Sequence, residues 1–372
     1  MNIILFFTYD ISLKDWEKSG LLDREIKFYK KLHEKYDIFF TFITFGDSRD
    51  TKIIDLPFIK VEPVYEYISY KRNKFLRFFQ SLTIPFKIKS IIQDSSLIKT
   101  NQLLGSWIAI IAKVIYKKPL IIRTGYDLLT FSKKNKKEFY KIILYSILTR
   151  LSLIYADIYL VSSRGDLKFL TKFSKKNSKK IKIRPNWVSE NESYSFNNRN
   201  KNNVISVGRL ETQKNFNQLI SYFENSEYKI DIFGEGSLKE DLIYESKVKN
   251  VKLEIHNPIR NKDLLNILKS YKFFISTSLF EGNPKAILEA MASGCVVIAV
   301  ENSNVVEIIE NDFNGIIINE DTNLKLLLEN LENDHKKWSY LSNNGISFIN
   351  KYYLLEKIVE EEYKDYILIN SS

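Results

Sequence analysis

The sequence predicts an α/β protein built from two doubly wound, Rossmann-like domains that face a central cleft. Three observations lead there. The chain has 372 residues, more than one domain of ~150 residues accommodates. Short apolar runs alternate with longer amphipathic stretches from end to end, which is how parallel strands joined by crossover helices read. The charge is also divided: residues 1–190 carry 36 Lys and Arg against 18 Asp and Glu, whereas residues 191–372 carry 20 against 27. Such an asymmetry suits two units with different partners.

The elements follow in order. Strand-like runs fall at Ile3–Phe7, Ile38–Phe45, Leu97–Thr100, Leu120–Arg123 and Ile158–Ser162, with amphipathic stretches such as Leu21–Lys35 and Glu138–Tyr155 between them. The pattern resumes at Val204–Val207, Ile230–Phe233, Val251–Ile255, Phe273–Ser276, Val296–Val300 and Ile316–Ile318. The polar, Asn- and Ser-rich stretch Glu190–Asn202 lacks apolar periodicity and reads as the seam. It divides the chain into domains 1–190 and 203–348. Trp338–Tyr366 is helical by period. Ligands of doubly wound sheets bind beyond the carboxyl ends of the strands, so the expected site is the cleft between the two sheets.

Composition removes several classes. A hydrophobic content of 44% can fill two cores. The single Cys295 rules out a disulfide framework and a Cys-based zinc cluster, and His33, His256 and His335 show no ligand spacing. No metal site is expected. The apolar run at Met1–Thr8 reads as a first strand and not as a signal peptide. Leu103–Tyr116 is the longest apolar candidate, yet it contains Lys113, and no run reaches the ~18 uncharged residues that a spanning helix needs. The expected location is the cytoplasm, with peripheral contact with the inner face of the plasma membrane as an open option.

That option comes from the basic half. Between Glu66 and Asp94 there is no acid, while Lys71, Arg72, Lys74, Arg77, Lys87 and Lys89 interleave with Phe75, Phe78, Phe79 and Phe86. A second acid-free stretch, Lys168 to Arg184, holds eight positive charges. Such a pattern suits anionic lipid headgroups or phosphate-rich nucleic acid. It equally suits an ordinary helix that buries its phenylalanines and solvates its lysines. No nucleic-acid partner is expected; an anionic membrane surface is retained as a partner.

The common nucleotide fingerprints are missing. There is no Walker-type loop, and Gly234 and Gly236 follow a strand but Lys239 stands where a dinucleotide fingerprint has its third glycine. No Asp-x-Asp clamp and no Gly-x-Ser-x-Gly elbow occur. Chemistry must then come from fixed cations and backbone dipoles.

The segment Ser278–Ala299 is the most informative. It sits between two strands, and Asn283 followed by Pro284 predicts a helix from Pro284 to about Ser293, capped by Asn283 and stopped by Gly294. Ile287, Leu288, Met291 and Cys295 form the apolar side, and Lys285, Glu289, Ala292 and Ser293 the other. A helix that starts at the carboxyl edge of a strand offers free N–H groups to an anion. Gly282 allows close backbone approach. Glu289 is either a sugar-binding carboxylate or a solvated helix residue. A second cluster, Val204 to Phe216, places Gly208, Arg209 and Lys214 at the end of a buried strand, where two cations can grip a diphosphate.

Together these segments resemble family 4 retaining glycosyltransferases of group 1 type, which have the GT-B fold. The matching pieces are Val207-Gly-Arg-Leu with Lys214-Asn215, Ile232-Phe-Gly-Glu-Gly, and Tyr271 to Gly315 with its paired Glu281 and Glu289; Ile183-Arg-Pro-Asn-Trp-Val is a looser match. The resemblance implies a nucleotide-sugar donor, UDP- or GDP-linked, and no separate cofactor. It implies Arg209, Lys214 and Glu281 as catalytic residues, with Gly208, Gly234, Gly282, Asn283, Pro284, Lys285, Ala286 and Glu289 on the donor. It implies metal-independent hexosyl transfer with retention to a glycan or lipid-linked acceptor, in surface polysaccharide or lipopolysaccharide synthesis. It also implies that the segment 349–372 packs back on the first domain. Two departures stand out: only Gly20 follows the first strand where the family often has Gly-Gly, and Thr124-Gly-Tyr-Asp replaces a frequent histidine. Arg123, Tyr126 and Asp127 are therefore candidates for the acceptor or sugar side. The alternatives are a sugar-phosphate synthase of the same fold and a non-catalytic GT-B-like protein that binds anionic lipid or polyanion.

Overall fold

The computed structural model describes residues 1–125, 129, 132, 139–189 and 196–370. The chain divides into two units, Met1–Pro185 with Ile358–Ser372, and Asn186–Lys357.

The first unit holds a seven-stranded parallel sheet of β1 (Asn2–Phe6), β2 (Phe39–Thr44), β3 (Ile59–Pro63), β4 (Leu97–Thr100), β5 (Leu120–Arg123), β6 (Ile158–Val161) and β7 (Ile181–Ile183), in the order β3-β2-β1-β4-β5-β6-β7. The second holds six parallel strands, β8 (Asn200–Val207), β9 (Lys229–Phe233), β10 (Lys252–His256), β11 (Tyr271–Ser276), β12 (Val296–Val300) and β13 (Ile316–Ile318), in the order β10-β9-β8-β11-β12-β13. The strand order reverses between β1 and β4, and again between β8 and β11. Backbone loops diverge at such a reversal and leave room for a ligand past the strand ends.

The central strands form because their side chains are buried on both faces. All six residues of β11 are buried. Bounds expected for β4, β5, β12 and β13 match those observed. Two strands were not anticipated, β3 and β7, and both lie at the edges of their sheet. β3 reads Ile-Lys-Val-Glu-Pro and β7 sits inside a lysine-rich run, so neither has the continuous apolar signature of a doubly covered strand. The expected seam also shortens: Asn200 to Asn202, placed in a linker by composition, begin β8, and Asn200 pairs in register with Tyr271. Ladder pairing uses backbone groups alone, so polar side chains do not forbid it. The adjacent Arg199 is buried, donating to the carbonyls of Tyr271 (2.7 Å) and Ser293 (2.8 Å).

The basic stretch overturns, for all of its phenylalanines but Phe78, which packs on Trp107, the reading of an ordinary helix that buries them. Helix Lys74–Ser81 exposes Phe75 and Phe79, and the next turn, Ile84–Lys87, exposes Phe86. What the first helix buries is Arg77, whose guanidinium meets Asp10 at 2.5 Å, and Ser81.

The helix Leu355–Asn370 places buried carboxylates on the first sheet. Glu362 pairs with Lys99 of β4, Asp365 accepts from Arg184 (2.5 Å) and Lys182 (2.6 Å), and Tyr363 stacks on Tyr36 at 3.7 Å. Burial by itself raises a carboxyl pKa, but Lys99 and Arg184 outweigh it and hold Glu362 down to about 2. A carboxylate depressed in the folded state contributes stability above its unfolded pKa of ~4.3 and loses it as pH falls toward the folded value. Thermal melts should therefore show a midpoint that drops between pH 4.5 and 2.5. Glu362→Gln should lower the midpoint at pH 7 and flatten that drop; an unchanged pH profile in the variant would remove Glu362 from the account.

Candidate functional site

The site residues of the second unit lie on the loops that leave β8, β9 and β11. At the first two, backbone meets backbone: Gly208 N–H donates to the Phe233 carbonyl (3.1 Å), and Leu210 N–H to that of Glu235 (2.9 Å). A Cβ on Gly234 would fall 1.9 Å from the Gly208 carbonyl oxygen, and one on Gly236 2.4 Å from that of Leu210. These glycines are required by close approach of the chain to itself. The stem of Lys214 crosses Gly208, where a Cβ would meet its Cε at 2.8 Å.

Lys214 ends the short turn Thr212–Lys214, and its Nζ donates to Glu281 Oε1 at 2.5 Å. Three more bonds tie the same loops: Thr277 Oγ1 to the Lys214 carbonyl (3.0 Å), Leu279 N–H to the Gln213 carbonyl (3.0 Å), and Gln213 Nε2 to the Phe280 carbonyl (2.8 Å). On the other side Asn302 Nδ2 holds the Ser278 carbonyl (3.0 Å) and Asn304 Nδ2 holds that of Gly282 (2.7 Å). The loop from Ser278 to Gly282 is thereby fixed from two directions.

The helix that follows is Lys285–Ala292, with Pro284 as its cap residue. Asn283 does not cap it. Its Oδ1 accepts from the Asn186 backbone N–H and its carbonyl from Asn186 Nδ2, both at 2.8 Å, so the side chain expected to cap is committed elsewhere. Gly294, at φ +78°, lies in the left-handed region just past the end, as its stop role requires. Pro284 is buried and Lys285 and Ala286 are half-buried.

Glu289 is only 4% exposed, which overturns the reading of a solvated helix glutamate. Its Oε1 accepts from Asn261 Nδ2 at 2.7 Å and lies 3.3 Å from Lys285 Nζ. The sequence reading missed Asn261, the first residue of helix Asn261–Leu268. A lone asparagine at a helix start carries no motif, and only packing reveals its partner. The predicted set therefore assembles as two pairs, Lys214 with Glu281 and Lys285 with Glu289. Arg209 is exposed, and among the described residues no side-chain hydrogen bond or ion pair joins it to either pair.

On the first unit Arg123 ends β5, half-buried, with its Nε lacking a hydrogen-bond partner among the described residues. Its charge helps hold Glu362 ionised. Tyr126 and Asp127 lie outside the described residues.

One histidine, His256, joins a cluster of carboxylates that no sequence spacing announced. Parallel register brings Asp231, Glu254 and His256 together, with ligand atoms within 4.8 Å of one another. Lys229 Nζ already sits between the two carboxylates and offsets one of their charges, 3.0 Å from Asp231 and 2.5 Å from Glu254. Burial opposes ionisation of Asp231, but bonds from His256, Tyr271 and Lys229 outweigh it and keep its pKa low.

Gly234→Ala should destabilise the second unit by at least ~2 kcal/mol, the range for enforced backbone clashes, read as a lower melting temperature. A variant as stable as the parent would show that the two strand ends do not need their close approach.

Residues 189–348 match the family model described as glycosyl transferases group 1. A Campylobacter jejuni protein, GalNAc-alpha-(1->4)-GalNAc-alpha-(1->3)-diNAcBac-PP-undecaprenol alpha-1,4-N-acetyl-D-galactosaminyltransferase, is 24% identical over 307 residues, covering 80% of each chain. The Escherichia coli UDP-Gal:alpha-D-GlcNAc-diphosphoundecaprenol alpha-1,3-galactosyltransferase is 36% identical over 122 residues, covering 30% of this chain and 31% of that one. The crystal structure of Anabaena Alr3699/HepE in complex with UDP and glucose aligns with a TM-score of 0.76 at 15% identity, over 98% of this chain and 99% of that one. At that identity the structural likeness establishes the fold alone: two parallel-sheet, Rossmann-like domains of the GT-B kind.

Proposed function

Starting from a chain whose residues 189–348 form a glycosyl transferases group 1 domain, we propose that the protein moves a hexose from a nucleoside-diphosphate donor, UDP- or GDP-linked, to a lipid-linked glycan. The observation that carries this is a lysine–carboxylate pair, Lys214 and Glu281, on the loops before one helix, and a buried carboxylate, Glu289, within that helix, beside the strand reversal.

Each part has a chemical task. Glu289 is held by one oxygen, Oε1, on Asn261 and Lys285; Oε2 is the atom to accept from ribose hydroxyls. Lys214 and Arg209 face the diphosphate, with the first-turn N–H groups of helix Lys285–Ala292 adding dipoles of the same sign. When the bond between the sugar's anomeric carbon and the phosphate oxygen breaks, positive charge develops on the ring and negative charge on the diphosphate. Fixed cations placed at that growing charge lower the barrier. The acceptor hydroxyl oxygen bonds to the anomeric carbon, and its proton passes to the leaving diphosphate. Attack from that face retains configuration and needs neither a protein nucleophile nor a metal ion. Gly282, Asn283 and Ala286 would line the donor sugar and its phosphates, and Arg123 the acceptor side.

Lipid-linked acceptors are supported by the relatives in Campylobacter jejuni and Escherichia coli, whose names specify diphosphoundecaprenol-borne glycans. The strongly basic first unit suits such an acceptor, which carries a diphosphate and resides in a bilayer. Surface-glycan assembly at the inner leaflet follows as the setting.

UDP or GDP should raise the melting temperature of the wild type by several degrees, and Glu289→Ala should abolish the shift. Lys214→Ala should keep the nucleotide shift in reduced form and lower turnover by about a hundredfold, the usual loss when one charge-stabilising group is removed. If no nucleoside diphosphate stabilises the wild type, the donor site is misassigned.

A further inference from the structure

Two helices of the first unit expose much of their apolar surface while burying polar residues. In helix Phe139–Tyr155 the buried positions are Leu148, Thr149, Ser152 and Leu153, two of the four polar, while Phe139 is 77% exposed, Leu144 55% and Ile147 53%. Tyr140, Ile143, Leu151 and Ile154 are exposed as well. Helix Lys74–Ser81 shows the same inversion, with Phe75 68% exposed above a buried Arg77. A surface helix of a water-soluble unit presents the opposite arrangement.

The two helices belong to one layer. Helix Ser106–Tyr116 lies between them: Trp107 Nε1 donates to Ser81 Oγ (2.9 Å), and Ser106 Oγ bonds Ser152 Oγ (3.0 Å). Ile84, Ile108, Ala112 and Leu153 share the hydrophobic cluster beneath. Helix Ser106–Tyr116 adds exposed Val114 and Ile115. Neither these three helices nor the turn Ile84–Lys87 contains an Asp or Glu. Cations adjoin the apolar face directly: Arg150, Lys175 and Lys176 line one groove with Ile154 and Phe173.

We infer that the outer surface of this helical layer is an interfacial docking face that lies on an anionic lipid bilayer, with helix Phe139–Tyr155 parallel to the membrane plane. At 17 residues that helix is ~25 Å long, and no helix among the described residues is long and apolar enough to cross a membrane. It can only lie in the interface, where apolar side chains enter the acyl boundary and flanking Lys and Arg meet headgroup phosphates. A second copy of the chain is a poorer occupant: a two-fold contact would set one predominantly cationic surface against another. The inference extends the proposed lipid-linked acceptor but stands on the surface of the first unit, and its test is separate from nucleotide binding.

The test is co-sedimentation with vesicles of phosphatidylglycerol and phosphatidylethanolamine, against pure phosphatidylcholine, at 50 and 500 mM salt. The wild type should pellet with the anionic vesicles only, and less at high salt. Leu144→Glu with Ile147→Glu should cut the bound fraction at least tenfold, and Lys175→Glu with Lys176→Glu severalfold. Tyr244→Glu with Val248→Glu, at exposed apolar positions of the second unit, should bind like wild type. Nucleoside-diphosphate melting shifts of all variants should equal the wild type's, which shows that each is folded. Wild-type protein that stays in the supernatant, or a Leu144/Ile147 variant that binds undiminished, overturns the inference. A lipid-free dimer that the same variant dissociates would assign the face to a second copy instead. Vesicle binding without any nucleotide shift would sink the proposed enzyme and leave the docking face standing.

Discussion

The ion pair between Lys214 and Glu281, at 2.5 Å, organises the second unit's candidate site. It joins the loop after β8 to the loop after β11, the two strands at which the sheet order reverses. Both partners are largely withdrawn from water, and burial of either alone would be costly, so neither can swing away independently. The pair depends in turn on backbone geometry. Gly234 lets the ends of β8 and β9 touch, and Gly208, without a side chain, lets the lysine stem pass over it. A few atoms of free space upstream thus determine where a positive charge sits downstream.

The first unit uses charge in a different way. Its buried cations are matched by carboxylates: Lys99 with Glu362, Arg77 with Asp10, and Arg184 with Asp365, which half-buried Lys182 shares. These pairs anchor the C-terminal helix and the Phe75 helix, because an unpaired buried charge is expensive. The remaining excess lies outside, beside helices Lys74–Ser81, Ser106–Tyr116 and Phe139–Tyr155, which contain no Asp or Glu. An outward-facing apolar stripe next to outward-facing lysines is unfavourable in water and favourable at a headgroup boundary.

The sequence was most legible where a residue's surroundings are symmetric. Central strands such as β4, β11 and β12 are apolar on both faces and so stand out in one dimension. Edge strands β3 and β7 did not, since one flank lacks a neighbour and their side chains need not be apolar. The donor-side positions were legible as a motif, but their partnerships were not. Asn261 lies 28 positions before the Glu289 that it holds, and no spacing rule spans that interval. Asn283 was a sound helix cap by local preference, and a backbone N–H 97 positions away claimed it.

By itself the chain's order of residues determined two parallel sheets, the strand ends that carry glycines and cations, and the opposite charge of the two halves. These follow from hydrophobic periodicity and composition, which act locally or add along the chain. Folding alone decided which carboxylate each lysine meets, that Glu289 is buried instead of solvated, and that Phe75, Phe79 and Phe86 of the basic stretch face outward. Those outcomes depend on which distant elements pack together, and burial is a property of the whole arrangement that no short window of residues contains.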